Sequence, residues 1–217
     1  MVATNRSGII PFPAYANDYA TRLRNTLGLI PMDRVEQLAH QLLEAWRSKQ
    51  QVFIVGNGGS AANAIHLTND FIYGISKSIG SGIRMHALAA NQAMVTCLGN
   101  DVGYENIFSY QLAVLAQPND ILIALSGSGN SPNILNALSL ARNLGVKTFA
   151  ILGFDGGKAK SLCDNAIHVP VKDMQLAEDT QLIIGHIMMQ WLHQYCDLYP
   201  KEYQESESHG QENEKVE

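Results

Sequence analysis

Two stretches of this chain run in the same order: an apolar segment, a loop of glycines and small polar residues, then a helical pattern. The first is VFIVGNGGSAANAIH, residues 52–66, and the second is ILIALSGSGNSPNIL, residues 121–135. A short apolar run bounded by small residues suits a strand buried on both faces. A helix directly after each strand demands a crossover, and crossovers join parallel strands. This pairing confines the chain to an α/β fold more tightly than any other feature.

The remaining pattern agrees. QVFIV (51–55), IRMHAL (83–88), DILIALS (120–126), KTFAIL (147–152) and AIHVP (166–170) are the expected strands. Helical spacing is expected over 14–30, 33–49, 60–73, 91–98, 104–117, 132–144 and 175–199, with Asp33 capping the second and Gly145 stopping the sixth. The fold class is therefore a three-layer sandwich of about five parallel strands, with two extra helices ahead of the first strand. Residues 1–13 are expected to be an irregular arm and 14–200 a single domain. The polar, acidic residues 201–217 are expected to be a disordered tail.

Composition excludes several classes. A formal net charge of -5 over 217 residues argues against a nucleic-acid partner. No apolar run approaches the roughly 18 residues of a membrane span, and MVATNRSGIIPFP lacks the features of a signal peptide. Cys97, Cys163 and Cys196 are odd in number and far apart, which fits reduced thiols in a cytoplasmic protein.

The loops carry the chemistry. Gly56, Gly58 and Gly59 allow a sharp turn and close approach of a ligand, and Ser60 stands where the next helix begins. Ser126, Ser128 and Ser131 surround Gly127 and Gly129, and Pro132 suits a first helical turn. Free N–H groups at two helix starts, with these hydroxyls, form a cradle for a phosphate without needing a cation. Neither loop has the dinucleotide pattern or the phosphate-loop lysine. Both loops fall at the carboxyl ends of parallel strands, where open α/β sheets bind ligands.

GNGGSAANAIH (56–66), LGNDVGYENIFS (98–109), SGSGNSPNIL (126–135) and LGFDGGKAKSL (152–162) resemble, in that order, the sugar isomerase (SIS) domain of the phosphoheptose isomerase family. The resemblance spans roughly residues 19–195. It implies conversion of sedoheptulose 7-phosphate to a heptose 7-phosphate by a cytoplasmic homotetramer, with sites between subunits and commonly a zinc ion. It places sugar-phosphate contacts on Asn57, Gly58, Gly59, Asn100, Asp101, Ser126, Gly127, Ser128 and Ser131. Gly127 departs from the family's usual threonine, and Gly74 stands where an arginine is frequent.

An aldose–ketose isomerase needs a base at the carbon and a group on the carbonyl. The resemblance points to four positions, usually His, Glu, Gln and His, which are His66, Asp70, Glu178 and His186 here. Asp70, Glu178 and His186 are the candidate catalytic residues, and all four are candidate zinc ligands. His66 and Asp70 share a helix face at i and i+4. Glu178 and His186, eight residues apart, are separated by about 12 Å of helix. They converge only if Glu178 lies off the helix start or another subunit contributes. Packed or surface roles are expected for His40, His86, His168 and His193. Ile183, Ile184, Ile187, Met188, Trp191 and Leu192 form a stripe suited to the core or to a subunit contact. Two other readings fit the same loops. One is a non-enzymatic SIS protein binding the bacterial replication initiator, and the other is a phosphosugar-sensing module that needs no base.

Overall fold

The computed structural model describes residues 9–76 and 81–195. Five strands alternate with helices: α1 (Phe12–Leu27), α2 (Met32–Arg47), β1 (Gln51–Val55), α3 (Gly59–Ile72), β2 (Arg84–Ala87), α4 (Gln92–Asp101), α5 (Ile107–Leu115), β3 (Ile121–Ser126), α6 (Pro132–Asn143), β4 (Lys147–Leu152), α7 (Ala159–Leu162), β5 (Asn165–His168) and α8 (Met174–His193). Every strand pair is parallel, in the order β2-β1-β3-β4-β5. The expected tail, residues 201–217, and Cys196 lie outside the described residues.

Alternation along each strand feeds two cores. Val52, Ile54, Ile121, Ile123, Leu125 and Ile151 face the layer of α2, α3 and α8. Phe53, Val55, Leu122, Ala124, Ala150 and Leu152 face the layer of α4 to α7. Because both faces of the inner strands are covered, β1, β3 and β4 are nearly continuous apolar runs, whereas the edge strands β2 and β5 carry Arg84, His86, Asn165 and His168. On α8, Ile184, Met188 and Leu192 are buried, while Ile187 stays exposed, so the stripe is chiefly core. No helix among the described residues is long and apolar enough to cross a membrane.

Local chemistry sets the boundaries. α1 begins at Phe12, two residues ahead of the expected domain start, because Pro13 fits a first helical turn. Asp33 does not cap α2: the helix already begins at Met32 after Pro31, which leaves Asp33 inside the first turn. Gly145 does follow the end of α6, with φ +73°. The four-residue α7 is too short to register as periodicity.

α1 buries only Thr26 and is tied to α8 by polar contacts. The Tyr19 hydroxyl donates to Asp179 at 2.5 Å, and Arg22 meets Asp173 at 2.5 Å. Burial, then the bond to Asp179, pushes the Tyr19 phenol up to about 12, so it remains a donor. Asp173 caps α8 by accepting from the Gln175 and Leu176 N–H groups. The Leu176 N–H and the Arg22 guanidinium hold its carboxyl below the usual range.

Candidate active site

β2 lies on one side of β1, and β3, β4 and β5 lie on the other. The crossovers therefore diverge between β1 and β3, which is where sheets of this strand order bind ligands. The loop after β1 and the loop after β3 face each other there across a cleft of about 260 Å³. Asn57, Gly58, Gly59 and Ser60 line one side, and Ser126, Gly127, Ser128 and Ser131 line the other. Met174 and Glu178, one turn apart on α8, complete the lining.

The hydroxyls differ in their duties. Ser126 is buried and its Oγ accepts from the Gly129 N–H at 3.0 Å, so it holds the loop together. Ser128 Oγ accepts only a long bond from the Asn130 N–H, 3.3 Å. Ser131 is the N-cap residue of α6, yet its side chain makes no capping bond. Ser128 and Ser131 are thus the hydroxyls open to a ligand. Ser60 is buried and accepts from Gln181 at 3.1 Å. Asn63 joins that network through the Glu178 carbonyl and Gln181, both at 3.0 Å, which fixes α8 against α3.

Two glycines are required by packing. A Cβ on Gly59 would collide with the Glu178 carboxylate, so the bare backbone makes room for the one ionisable side chain among the described residues lining the cleft. Gly129 has φ +66°, and a Cβ there would overlap the Gly156 backbone carbonyl. Gly129→Ala should cost about 2–5 kcal/mol from strain plus overlap, read as a lowered Tm. An unchanged Tm would contradict this packing. At Gly127 the space a side chain would take is filled by Met174, whose Sδ would lie 2.6 Å from an added Cβ.

Farther along α3 and α8, three side chains converge. His66 Nε2 and His186 Nε2 are 3.0 Å apart, and Asp70 Oδ2 lies 3.4 and 3.3 Å from them. Three atoms, each able to offer a lone pair, point at one place. Ligand atoms about 2.0–2.2 Å from a tetrahedral zinc lie about 3.3–3.5 Å from one another, so this donor set fits zinc with one position left for a further ligand. Glu178 is not in this group. It sits within α8, two turns before His186, and faces the loops instead.

Other expected residues lie elsewhere. Asn100 and Asp101 are exposed at the end of α4, bonded to each other at 2.8 Å, and do not line the cleft. From the same motif, Tyr104 does reach the cleft wall: its hydroxyl donates to Asn57 Oδ1 at 3.2 Å. His40 meets Trp191 edge-on, His86 stacks on Phe53, His168 bonds the Phe154 carbonyl and His193 bonds the Ile75 carbonyl. Sequence reasoning passed over Tyr104, Asn133, Met174 and Gln181. Only the α8 spacing of 174, 178 and 181 could have signalled two of them.

Known proteins share this fold. Residues 14–153 match the family model described as SIS domain. A phosphoheptose isomerase of Pelobacter propionicus is 37% identical over 191 residues, covering 85% of this chain and 97% of that protein. The phosphoheptose isomerase of Trichlorobacter lovleyi is also 37% identical, covering 76% of this chain and 80% of that one. The solved structure of a phosphoheptose isomerase from Francisella tularensis has a TM-score of 0.78 at 26% identity, covering 84% of this chain and 96% of that chain. With the model match spanning most of the chain and relatives aligned nearly end to end, this chain belongs to the SIS domain family and, within it, to the phosphoheptose isomerases, which are aldose–ketose isomerases.

Proposed function

We propose that this protein interconverts sedoheptulose 7-phosphate and D-glycero-D-manno-heptose 7-phosphate. The observation that carries the proposal is the meeting of two small-residue loops at the β1/β3 switch point, with a carboxylate on the cleft wall. In this reading Ser128, Ser131 and the first N–H groups of α6 hold the phosphate, with Ser126 and Gly127 shaping the loop. Asn57, Gly58 and Gly59 face the sugar. Asn100 and Asp101, remote from the cleft of one chain, would act only at a neighbouring subunit's site.

The reaction moves a proton between C1 and C2. A carboxylate takes the C1 proton of the ketose and gives it to C2, while an acid partner supplies a proton to the C2 oxygen and the C1 hydroxyl releases one. His66, Asp70 and His186 would hold zinc, which when bound polarises a carbonyl as a Lewis acid. Asp70 is engaged by both imidazoles, which leaves Glu178 as the carboxylate facing the sugar. His186 is the acid partner when its Nε2 is not given to zinc, and the 3.0 Å contact with His66 then fixes its ring.

The same reading makes the protein a cytoplasmic homotetramer with shared sites. Ile9, Ile10, Phe12 and Tyr15 present exposed apolar side chains at the start of α1, suited to a second copy. Purified protein with zinc, incubated with sedoheptulose 7-phosphate in D2O, should yield the aldose and run at about 95 kDa, four times the 23.7 kDa chain. Sugar-phosphate binding without any conversion would instead support the sensing module. Neither binding nor conversion would leave the initiator-binding reading.

A further inference from the structure

Two glycine-rich loops are soft on their own, so something must fix the distance between them. Across the cleft wall, Asn57 Nδ2 donates to Asn133 Oδ1 at 2.9 Å, and Asn133 Nδ2 donates back to Asn57 Oδ1 at 2.8 Å. Asn133 is the second residue of α6 and is only 1% exposed. Its amide therefore ties the loop after β1 to the helix that the serine loop opens. Tyr104, from the 3-10 turn before α5, donates to the same Asn57 oxygen at 3.2 Å. That turn is itself held by Asn136, whose Nδ2 donates to the Glu105 carbonyl at 3.0 Å.

The donor inventory of Asn57 has a consequence. An amide oxygen accepts two bonds and an amide nitrogen donates two. The Asn57 oxygen is filled by Asn133 and Tyr104, and one N–H is spent on Asn133. One N–H remains, at a residue that lines the cleft.

We infer that Asn133 is a positioning residue: with Tyr104 it clasps Asn57 so that a single, oriented N–H faces the sugar, and it sets the span between sugar contacts and the phosphate loop. This rests on the proposed phosphosugar reading of the cleft. The side-chain bonds of the clasp all end on Asn57 and not on Ser128 or Ser131, so losing the Asn133 amide disturbs the sugar end while the α6 backbone N–H groups at the phosphate end stay in place.

The test compares two probes by calorimetry on the full chain: inorganic phosphate and sedoheptulose 7-phosphate. Asn133→Ala should weaken sugar-phosphate binding by at least about tenfold and change phosphate binding by less than about twofold. Asn57→Ala combined with Asn133→Ala should be no worse than Asn57→Ala alone. Equal losses for both probes, no loss for the sugar phosphate, or additive losses in the double variant would overturn the clasp. Should Asn133→Ala fail to fold, the exposed Tyr104→Phe decides. A threefold or larger selective loss supports the clasp, and unchanged sugar binding overturns it. Turnover is measured alongside. A wild-type chain that binds both probes but never isomerises defeats the functional reading without touching the clasp, whereas failure to bind the sugar phosphate at all defeats both.

Discussion

Glu178→Gln alone should lower the isomerisation rate constant about a hundredfold, and adding Asp70→Glu should restore at least the starting rate. An aspartate at 70 sets its oxygen about 1.5 Å farther back than a glutamate would, and a misplacement of that size can cost around a hundredfold. The Asp70 oxygen lies between the His66 and His186 rings. Glu178 lines the cleft against Gly59, the one ionisable side chain among the described lining residues. In the proposed reading, the paired differences from the family pattern amount to one relocation of the base. The measurement is a four-member cycle of rate constants on sedoheptulose 7-phosphate. A neutral or faster Glu178→Gln makes Asp70 the sole base. Four inactive proteins with intact folds and bound ligand would retire the isomerase reading.

The second large effect belongs to the serine loop. Ser128→Ala with Ser131→Ala should weaken sugar-phosphate binding by about 3–6 kcal/mol, since two bonds to a charged group are lost. The fold should survive. Ser128 is exposed, and the Ser131 side chain makes no capping bond to α6. Ser126→Ala is the contrasting control, because its hydroxyl holds the Gly129 N–H and its loss should lower stability as well. Calorimetry reads the affinity, and unchanged binding in the double variant would remove the phosphate from this loop.

The five strands and the two loops were legible because each rests on local signals. Ile121 to Leu125 are apolar without a break, as a strand buried on both faces must be. The helix pairing of His66 with Asp70 was legible for the same reason, since a spacing of four fixes a shared face. What the sequence could not supply was separation in space. Glu178 and His186 occupy one helix, and only the packing of α8 on α3 decides that the first meets the loops and the second meets His66. The Asn57–Asn133 bond joins residues 76 apart, and neither side chain carries a pattern that announces the other. Asp33 shows the opposite error: a good capping residue was outranked by Pro31, two residues earlier, which takes the N-cap position itself.

α8 serves at once as a core element and as the mount for Met174, Glu178, Gln181 and His186. A helix moves as a rod, so a repacking at Ile184 or Met188 shifts every one of those groups together. Helices α4 to α7 lie beyond the sheet and carry no group of the His–Asp cluster, and their core substitutions are buffered by five strands. Variation that retunes the substrate should therefore accumulate on the α3–α8 side. In the opposite layer, the first turn of α6 and the turn before α5 are held to the cleft through Asn133 and Tyr104, and the positions away from them are the ones left to vary for stability.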